Sequence, residues 1–341
     1  MHRWTAVNNF MLGAVAPLAA LIAVTSGAQA AGIQGDDTKI PLTYPAKPIR
    51  FIVAQPPGGQ NDLQARAIAL KLTDRWGQQV IVDNRGGAGG LIGFEIAARA
   101  APDGYTLAMG SISTLAVIPN MHAKLAYQPL RDFAPVTLVS TSPYIVVVHP
   151  SFAAKSIAEL VALAKAQPGK LAYASSGNAT GIQLATELFK AAAGIDITHV
   201  PYKGGAPATT ALLGGEVPVM FNNVITAMPH VKTGRLRALA VTSAKRSANV
   251  PELATVAELG YPGYSADSWQ GVVTIAGTPK PIVTKLNREI VAILKLADVN
   301  AFLTSQGNEV AASTPEQFTD YIRAELAKWS KLIKTAGLRS D

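Results

Sequence analysis

Residues 48–66 read Pro48-Ile49-Arg50-Phe51-Ile52-Val53-Ala54-Gln55-Pro56-Pro57-Gly58-Gly59-Gln60-Asn61-Asp62-Leu63-Gln64-Ala65-Arg66, and three kinds of local order follow one another in them. Ile49–Val53 is rich in β-branched and aromatic residues, which predicts a strand. Residues 55–61 form a loop with two consecutive glycines. From 63 to 76, Leu63, Ala67 and Leu70 recur at helical spacing, and Gly77 ends the run. A strand, a glycine-rich loop and a helix in that order are the opening of a parallel βαβ unit.

The same sequence of elements repeats along the chain. A strand at 80–82 leads into Asn84-Arg85-Gly86-Gly87-Ala88-Gly89-Gly90 and a helix to Ala101; Pro102-Asp103-Gly104 then turns into a strand at 105–109. A second set follows the apolar run 144–148. It comprises a helix at Ile157–Ala166, a strand at 171–174, the loop 175–181, a helix at 182–193, a strand at 197–201, the loop 202–205 and a helix to Leu213. Strands at 217–221, 236–242 and 271–275 and helices at 282–296 and Pro315–Ala336 complete the chain. The last helix carries Phe318, Ile322, Leu326, Trp329 and Ile333 along one face. This alternation predicts an α/β protein with parallel units. No fixed-period repeat is present.

The 341 residues suggest two domains once a processed segment is removed. There is no cysteine, which excludes a disulfide scaffold, thiolate zinc sites, iron–sulfur clusters, a Cys nucleophile and a lipidated N-terminal Cys. Lys and Arg exceed Asp and Glu by 30 to 22, for a net charge of +8. The cations are scattered, however. The densest groups are Lys245-Arg246 and Lys328, Lys331 and Lys334, which read as solvated faces and not as a nucleic-acid footprint.

His2 and Arg3 precede an uncharged stretch, 4–30, with an apolar centre at 10–24 and the small residues Ala28-Gln29-Ala30 at its end. That is the tripartite pattern of a cleaved export signal. Its apolar part, about 15 residues interrupted by Pro17, is shorter than the roughly 20 a spanning helix needs. The reading is a signal peptide at 1–30, a flexible leader at 31–43 and a mature protein in the periplasm.

Loops at the carboxyl ends of strands are where open α/β sheets bind ligands. Pro57, Gly58, Gly59, Gln60, Asn61 and Asp62 combine tolerance of positive φ with a helix start, so backbone donors there can converge on an anion, a carboxylate above all. Asp62 reads as a helix cap. Residues 176–180 add hydroxyl and amide donors at a second helix start, and Tyr202-Lys203-Gly204-Gly205 adds a phenol and an ammonium. Gly87, Gly89 and Gly93 could cradle a pyrophosphate, but no acidic ribose partner stands about 20 residues on. Nucleophile-elbow, zincin and P-loop motifs are absent. His122, His149, His199 and His230 are isolated in sequence and read as surface or core histidines, with His199, in the strand before Tyr202, least safely dismissed. Trp269 is poised between core packing and a cleft rim.

Read as P-x-R-x-x-V-x-x-x-P-G-G-x-x-D-x-x-A-R, residues 48–66 resemble the Bug family of extracytoplasmic solute receptors, the binding components of tripartite tricarboxylate transporters. Asn84-Arg85, Gly87–Gly90, Pro102-Asp103-Gly104-Tyr105-Thr106-Leu107, Pro168-Gly169-Lys170-Leu171, His199-Val200-Pro201-Tyr202-Lys203-Gly204, Leu236-Arg237-Ala238-Leu239-Ala240-Val241-Thr242 and Ala276-Gly277-Thr278-Pro279 continue the resemblance in family order. It implies a two-lobed periplasmic-binding-protein fold of type II topology with a ligand cleft between the lobes. Residues 44–144 with 270–341 would form one lobe and 145–269 the other, with crossings near 141–145 and 266–271. It implies no catalysis, no cofactor, no metal and no nucleic acid. The implied partners are a small organic acid (a di- or tricarboxylate, an amino acid or an aromatic acid) and the membrane subunits of a transporter, with the receptor a monomer. The ligand carboxylate would rest on Pro57, Gly58, Gly59, Asn61 and Asp62. The opposing wall would come from Ser111, Ser113 and Thr114, from Ser176, Gly177, Asn178 and Thr180, from Tyr202, Lys203 and Gly204, and from Phe221 and Asn222. The chain departs from the family at Gln55, where Phe is frequent, at Gly86 in place of Pro, at Ile118 in place of Asn before Pro119, and at Asn222 and Asn223, where an acid is frequent. An exported hydrolase of small carboxylate esters or amides is the alternative from another class.

Overall fold

The strand expected at Ile49–Val53 forms over those five residues (β1), and four of the five are buried. It pairs in parallel with β2 (Val80–Asn84) on one side and β3 (Thr106–Ser111) on the other, Phe51 lying opposite Val82 and Leu107. The computed structural model describes residues 44–336 except Ala123 and Ala179; the expected signal peptide and leader lie outside the described residues. Helices Gln60–Trp76 and Leu91–Ala98 make the crossovers between these strands. The first helix closes on Gly77 at φ +62°, whose N–H donates to the Thr73 carbonyl, as a left-handed helix terminus requires. Its buried face is Ala65, Ile68, Ala69 and Leu72, not the face expected from Leu63, Ala67 and Leu70; Leu70 is 62% exposed. The N-terminal turns of that buried face are polar, with Asn61, Asp62 and Gln64 each almost wholly enclosed.

The central element is β4 (Phe133–Val148), of which only the last five residues, the apolar run, were expected. The strands β5 (Ala172–Ser175), β6 (Thr198–Pro201), β7 (Val219–Asn223), β8 (Arg237–Val241), β9 (Asp267–Ile275) and β10 (Glu309–Val310) follow. The sheet order is β2-β1-β3-β9-β4-β7-β5-β6, with β8 and β10 also paired to β4. Residues 133–143 of β4 run antiparallel to β9, whereas 144–148 pair with β7 and β8. Register shifts at Pro135/Thr137, Leu138/Ser140 and Val146/Val147 bend the strand, because each extra residue adds local twist. The late strand β9 thus inserts between β3 and β4 and returns the chain to its first half.

The helix Pro315–Ala336 packs as its periodicity dictates, with Phe318, Ile322, Trp329 and Ile333 buried. Its inward-facing Glu325 accepts hydrogen bonds from the indole N–H of Trp269 and of Trp329, both at 2.9 Å, and pairs with Lys328. Trp269 is fully enclosed and meets Phe318 and Tyr321 edge-on, so it belongs to the core. Among the helices that escaped the sequence reading are the short Ile118–Met121 and Pro129–Asp132 and the longer Val224–Lys232, which contains Pro229, and Ala297–Ser305. Among the described residues no helix is long and apolar enough to cross a membrane, and no group of three His, Asp or Glu side chains is placed to hold a metal ion.

Candidate functional site

The carboxyl ends of β1, β3 and β5 open onto a cavity of about 520 Å³. On the β1 side its lining begins with Gln55, Gln60 and Asn61. The loop is shaped by Gly58, at φ +83°, whose N–H donates to Asp62 Oδ2 at 2.9 Å. The same carboxylate accepts from Arg66 Nε and from Asn84 Nδ2, each at 2.9 Å. Burial opposes ionisation of Asp62, but the hydrogen bonds from Arg66, Gly58 and Asn84 and the Arg66 charge outweigh it and hold the carboxyl below the usual range. Asp62 is thus not the cap of the helix, as its position suggested; it lies in the first turn, Gly59 stands at the cap position, and the Asp62 carboxylate ties the preceding loop to the helix.

Gly59 has an ordinary extended backbone, φ −74° and ψ 165°, and stands at the N-cap position with no side chain to offer. A Ser, Thr or Asp there would satisfy one of the first helical donors; with Gly, no side chain caps the N–H groups of Gln60 and Asn61, which have no partner within the helix. An anion at this point also gains from the dipole of a 17-residue helix.

The opposite side is built differently. Thr180 caps helix Gly181–Ala193, its Oγ1 accepting from Gln183 N at 3.4 Å and donating to the Gly177 carbonyl at 2.9 Å. Tyr144 of β4 brings its phenol against this helix start: a Cβ on Gly181 would lie 2.0 Å from the Tyr144 oxygen, so only glycine fits. Burial pushes the Tyr144 phenol up, keeping it a neutral donor. Tyr144, Asn178, Thr180 and Gly181 all line the cavity. From the β3 side come Ser111, Ile112 and Ser113, followed by a wide π-helical turn at Ser113–Val117 that runs into Ile118–Met121. Thr114 is turned inward, accepting from Ser111 N at 3.1 Å.

Ser268 and Gln270 of β9 form the floor. Behind them a chain of amides joins Gln60, Gln64, Gln270 and Asn308, with Gln64 Nε2 at 3.2 Å from both Gln270 Oε1 and Asn308 Oδ1. A second cavity of about 220 Å³, lined in part by Gly58, Gln60, Gln64, Ser142, Asn223 and Asn308, lies on the far side of this network. Among the described residues no Lys, Arg, Asp or Glu lines the larger cavity.

Of the residues singled out from the sequence, Asn61, Ser111, Ser113, Asn178 and Thr180 come together on the larger cavity, and Gly58 lies on the smaller. Pro57, Gly59, Asp62, Thr114, Ser176 and Gly177 belong to the same loops without lining either. Tyr202, Lys203 and Gly204 are stitched behind the β5 loop, through Tyr202 N to Ser175 O at 3.0 Å and Gly204 N to Ser176 O at 3.2 Å. Phe221 is wholly buried against Phe189, and Asn222 donates to Thr209 Oγ1 at 3.0 Å. Gln60, part of the loop expected to hold the carboxylate, lines both cavities. Tyr144, Ser268 and Gln270, which come from strands distant in sequence, were missed, as were Val117, Met121, His122 and Gly181.

His199 stacks on Tyr173, with Nε2 2.6 Å from Ser175 Oγ and Nδ1 3.2 Å from Gln183 Nε2. Burial lowers its pKa, against the opposing charge of Glu187. Ser175 is fully enclosed, so this serine–histidine pair offers no exposed nucleophile.

Residues 64–338 match the model of the tripartite tricarboxylate transporter family receptor, TctC. The chain belongs to this receptor family. The protein BugT of Bordetella pertussis (strain Tohama I) is 40% identical over 298 residues, 87% of this chain and 91% of BugT. Among solved structures, an R. palustris protein with adipate is 36% identical with a TM-score of 0.71, covering 86% of this chain and 98% of that one. MatC from Rhodopseudomonas palustris with bound malate is 30% identical with a TM-score of 0.69, covering 85% and 99%. Receptors of this family are periplasmic solute-binding proteins and not enzymes, and the hydrolase alternative finds no support. The mixed α/β fold with its curled sheet is the one the resemblance implied.

Proposed function

We propose that this receptor captures a small carboxylate in the 520 Å³ cavity and delivers it to the membrane subunits of a tripartite tricarboxylate transporter. The observation that carries the reading is the uncapped helix start at Gly59, beside a cavity lined by Gln60 and Asn61 and by no Lys, Arg, Asp or Glu. The carboxylate rests on the N–H groups of Gln60 and Asn61 and on the hydroxyl of Ser111; Tyr144, Asn178 and Thr180 close over it from the other side. The adipate and malate of the R. palustris relatives favour an organic acid as ligand. The two lobes are residues 44–144 with 270–341, and 145–269. The passage of β4 from β9, along residues 133–143, to β7, along 144–148, supports that division. The receptor acts as a monomer in the periplasm, with the signal at 1–30 removed and the mature chain starting near Ala31.

Thermal unfolding against small carboxylic acids and against uncharged sugars and amides tests the reading. A ligand that binds only the folded chain stabilises it by about 2.7 kcal/mol at 100 times Kd. Acids alone should raise the melting temperature; a rise with sugars or amides and none with any acid would overturn the assignment.

A further inference from the structure

The lining of the ligand cavity is of two kinds. The polar lining comes from the start of helix Gln60–Trp76 and, facing it, from Tyr144 and Asn178; the apolar lining is Ile112, Val117, Ile118 and Met121. All four apolar residues come from the segment that follows β3, where the π-helical turn at Ser113–Val117 directs Val117 and Ile118 together toward the cavity. The polar lining has one strong anion seat, at the uncapped helix start after Gly59. At the second helix start the Thr180 hydroxyl already engages the Gln183 N–H. A second carboxylate would find no arginine or lysine in the lining. The arginines of the adjoining loops are committed, Arg66 to Asp62 and Asn84 and Arg85 to Asp83. His122, which lines the cavity and also the neighbouring surface groove, is the one lining side chain able to carry a positive charge.

Resting on the carboxylate reading above, we infer that the ligand is a monocarboxylic acid with an apolar body, aromatic or branched, which lies against Ile112, Val117, Ile118 and Met121 while its single carboxylate occupies the helix start. Leaving a second charge unpaired in this site is costly, whereas each buried methylene gains about fourfold in affinity. Dicarboxylates and tricarboxylates are therefore disfavoured by the same lining that holds the apolar body.

Calorimetric titration at pH 8 with benzoate, 3-phenylpropanoate, malate and citrate tests the inference. Benzoate or 3-phenylpropanoate should bind one to one and at least tenfold tighter than malate or citrate. Ile118→Asn should cut the affinity for the aromatic acid about tenfold or more and leave that for malate unchanged or higher. Because Ile118 is almost fully buried, Met121→Gln, at a half-buried position, serves as a second variant, with circular dichroism melting as the fold control for both. Tighter binding of malate or citrate than of either aromatic acid would overturn the inference and leave the carboxylate receptor standing. So would folded variants of both kinds with unchanged affinity for the aromatic acid. Binding of none of the four acids would remove the carboxylate reading itself, and the inference with it.

Discussion

At Gly181 a single hydrogen atom in place of a side chain decides whether the cavity can form. The Tyr144 oxygen would stand 2.0 Å from a Cβ there, and the next atom of the ring, Cζ, 3.1 Å away. Gly181→Ala should therefore displace the phenol, lower stability by roughly 1–3 kcal/mol and weaken ligand binding, although alanine is otherwise the better helix former. Removing the oxygen with Tyr144→Phe leaves only the milder contact, so the double variant should recover most of the lost stability. Denaturant melts of the three variants check this; a Gly181→Ala protein as stable as the parent contradicts the packing described. Gly58 and Gly59 differ in the same way from what adjacent glycines suggest. Gly58 uses its freedom at φ +83°, whereas Gly59 contributes the absence of a capping side chain.

Among the elements, β9 carries the most conspicuous cost. Asp267, its first residue, is half-buried, and its enclosed Oδ1 has no hydrogen-bond partner. Burial pushes the carboxyl up to about 7, with the Lys328 charge opposing and those of Glu325 and Glu309 adding to the rise. The folded chain thus holds a proton there that the unfolded chain, with an ordinary Asp near 3.9, releases. Its favourable contribution is fully present below pH 4 and is lost as pH rises to about 7, at about 1.4 kcal/mol per pH unit. Asp267→Asn should accordingly match the parent near pH 4 and exceed it in stability by on the order of 2 kcal/mol or more at pH 8. Urea unfolding at the two pH values measures this; equal stability at pH 8 would show that the carboxyl finds a compensating partner. The tyrosines beside it, Tyr144, Tyr264 and Tyr321, are pushed up by burial first and by its charge in addition.

The same scale shows what the sequence could and could not reveal. Helix Ile157–Ala166 and helix Pro315–Ala336 were legible to the residue, because their apolar spacing is uninterrupted and Ser156 and Thr314 stand before them. Residues 133–143 were not. Pro135, Thr137, Ser140, Ser142 and Pro143 mask a strand that is held by β9 and not by its own propensity. Pro229 hid the helix Val224–Lys232 in the same fashion. The helix Gln60–Trp76 was found but its inner face was misread, since the buried polar residues Asn61, Asp62 and Gln64 carry no hydrophobic signal. In the cavity, glycine, serine and asparagine loops announced themselves by residue type. Tyr144, Ser268 and Gln270 reach it only through the sheet order, which places β4 and β9 between two halves of the chain.

For the whole molecule, the family match fixes a solute receptor of the tripartite tricarboxylate transporter type, and the polar and apolar linings of one cavity argue for the acid it takes up. On the proposed function, the ligand is held as an anion by backbone donors at an uncapped helix start, with no arginine or lysine in the lining. Calorimetry of the tightest-binding acid and of its methyl ester, on the same preparation at pH 8, addresses that claim directly. The ester keeps the shape and the apolar body but cannot accept a charge-assisted hydrogen bond, which contributes about 1.5–3 kcal/mol. The acid should bind saturably and the ester at least tenfold more weakly; equal affinity for acid and ester would contradict the account.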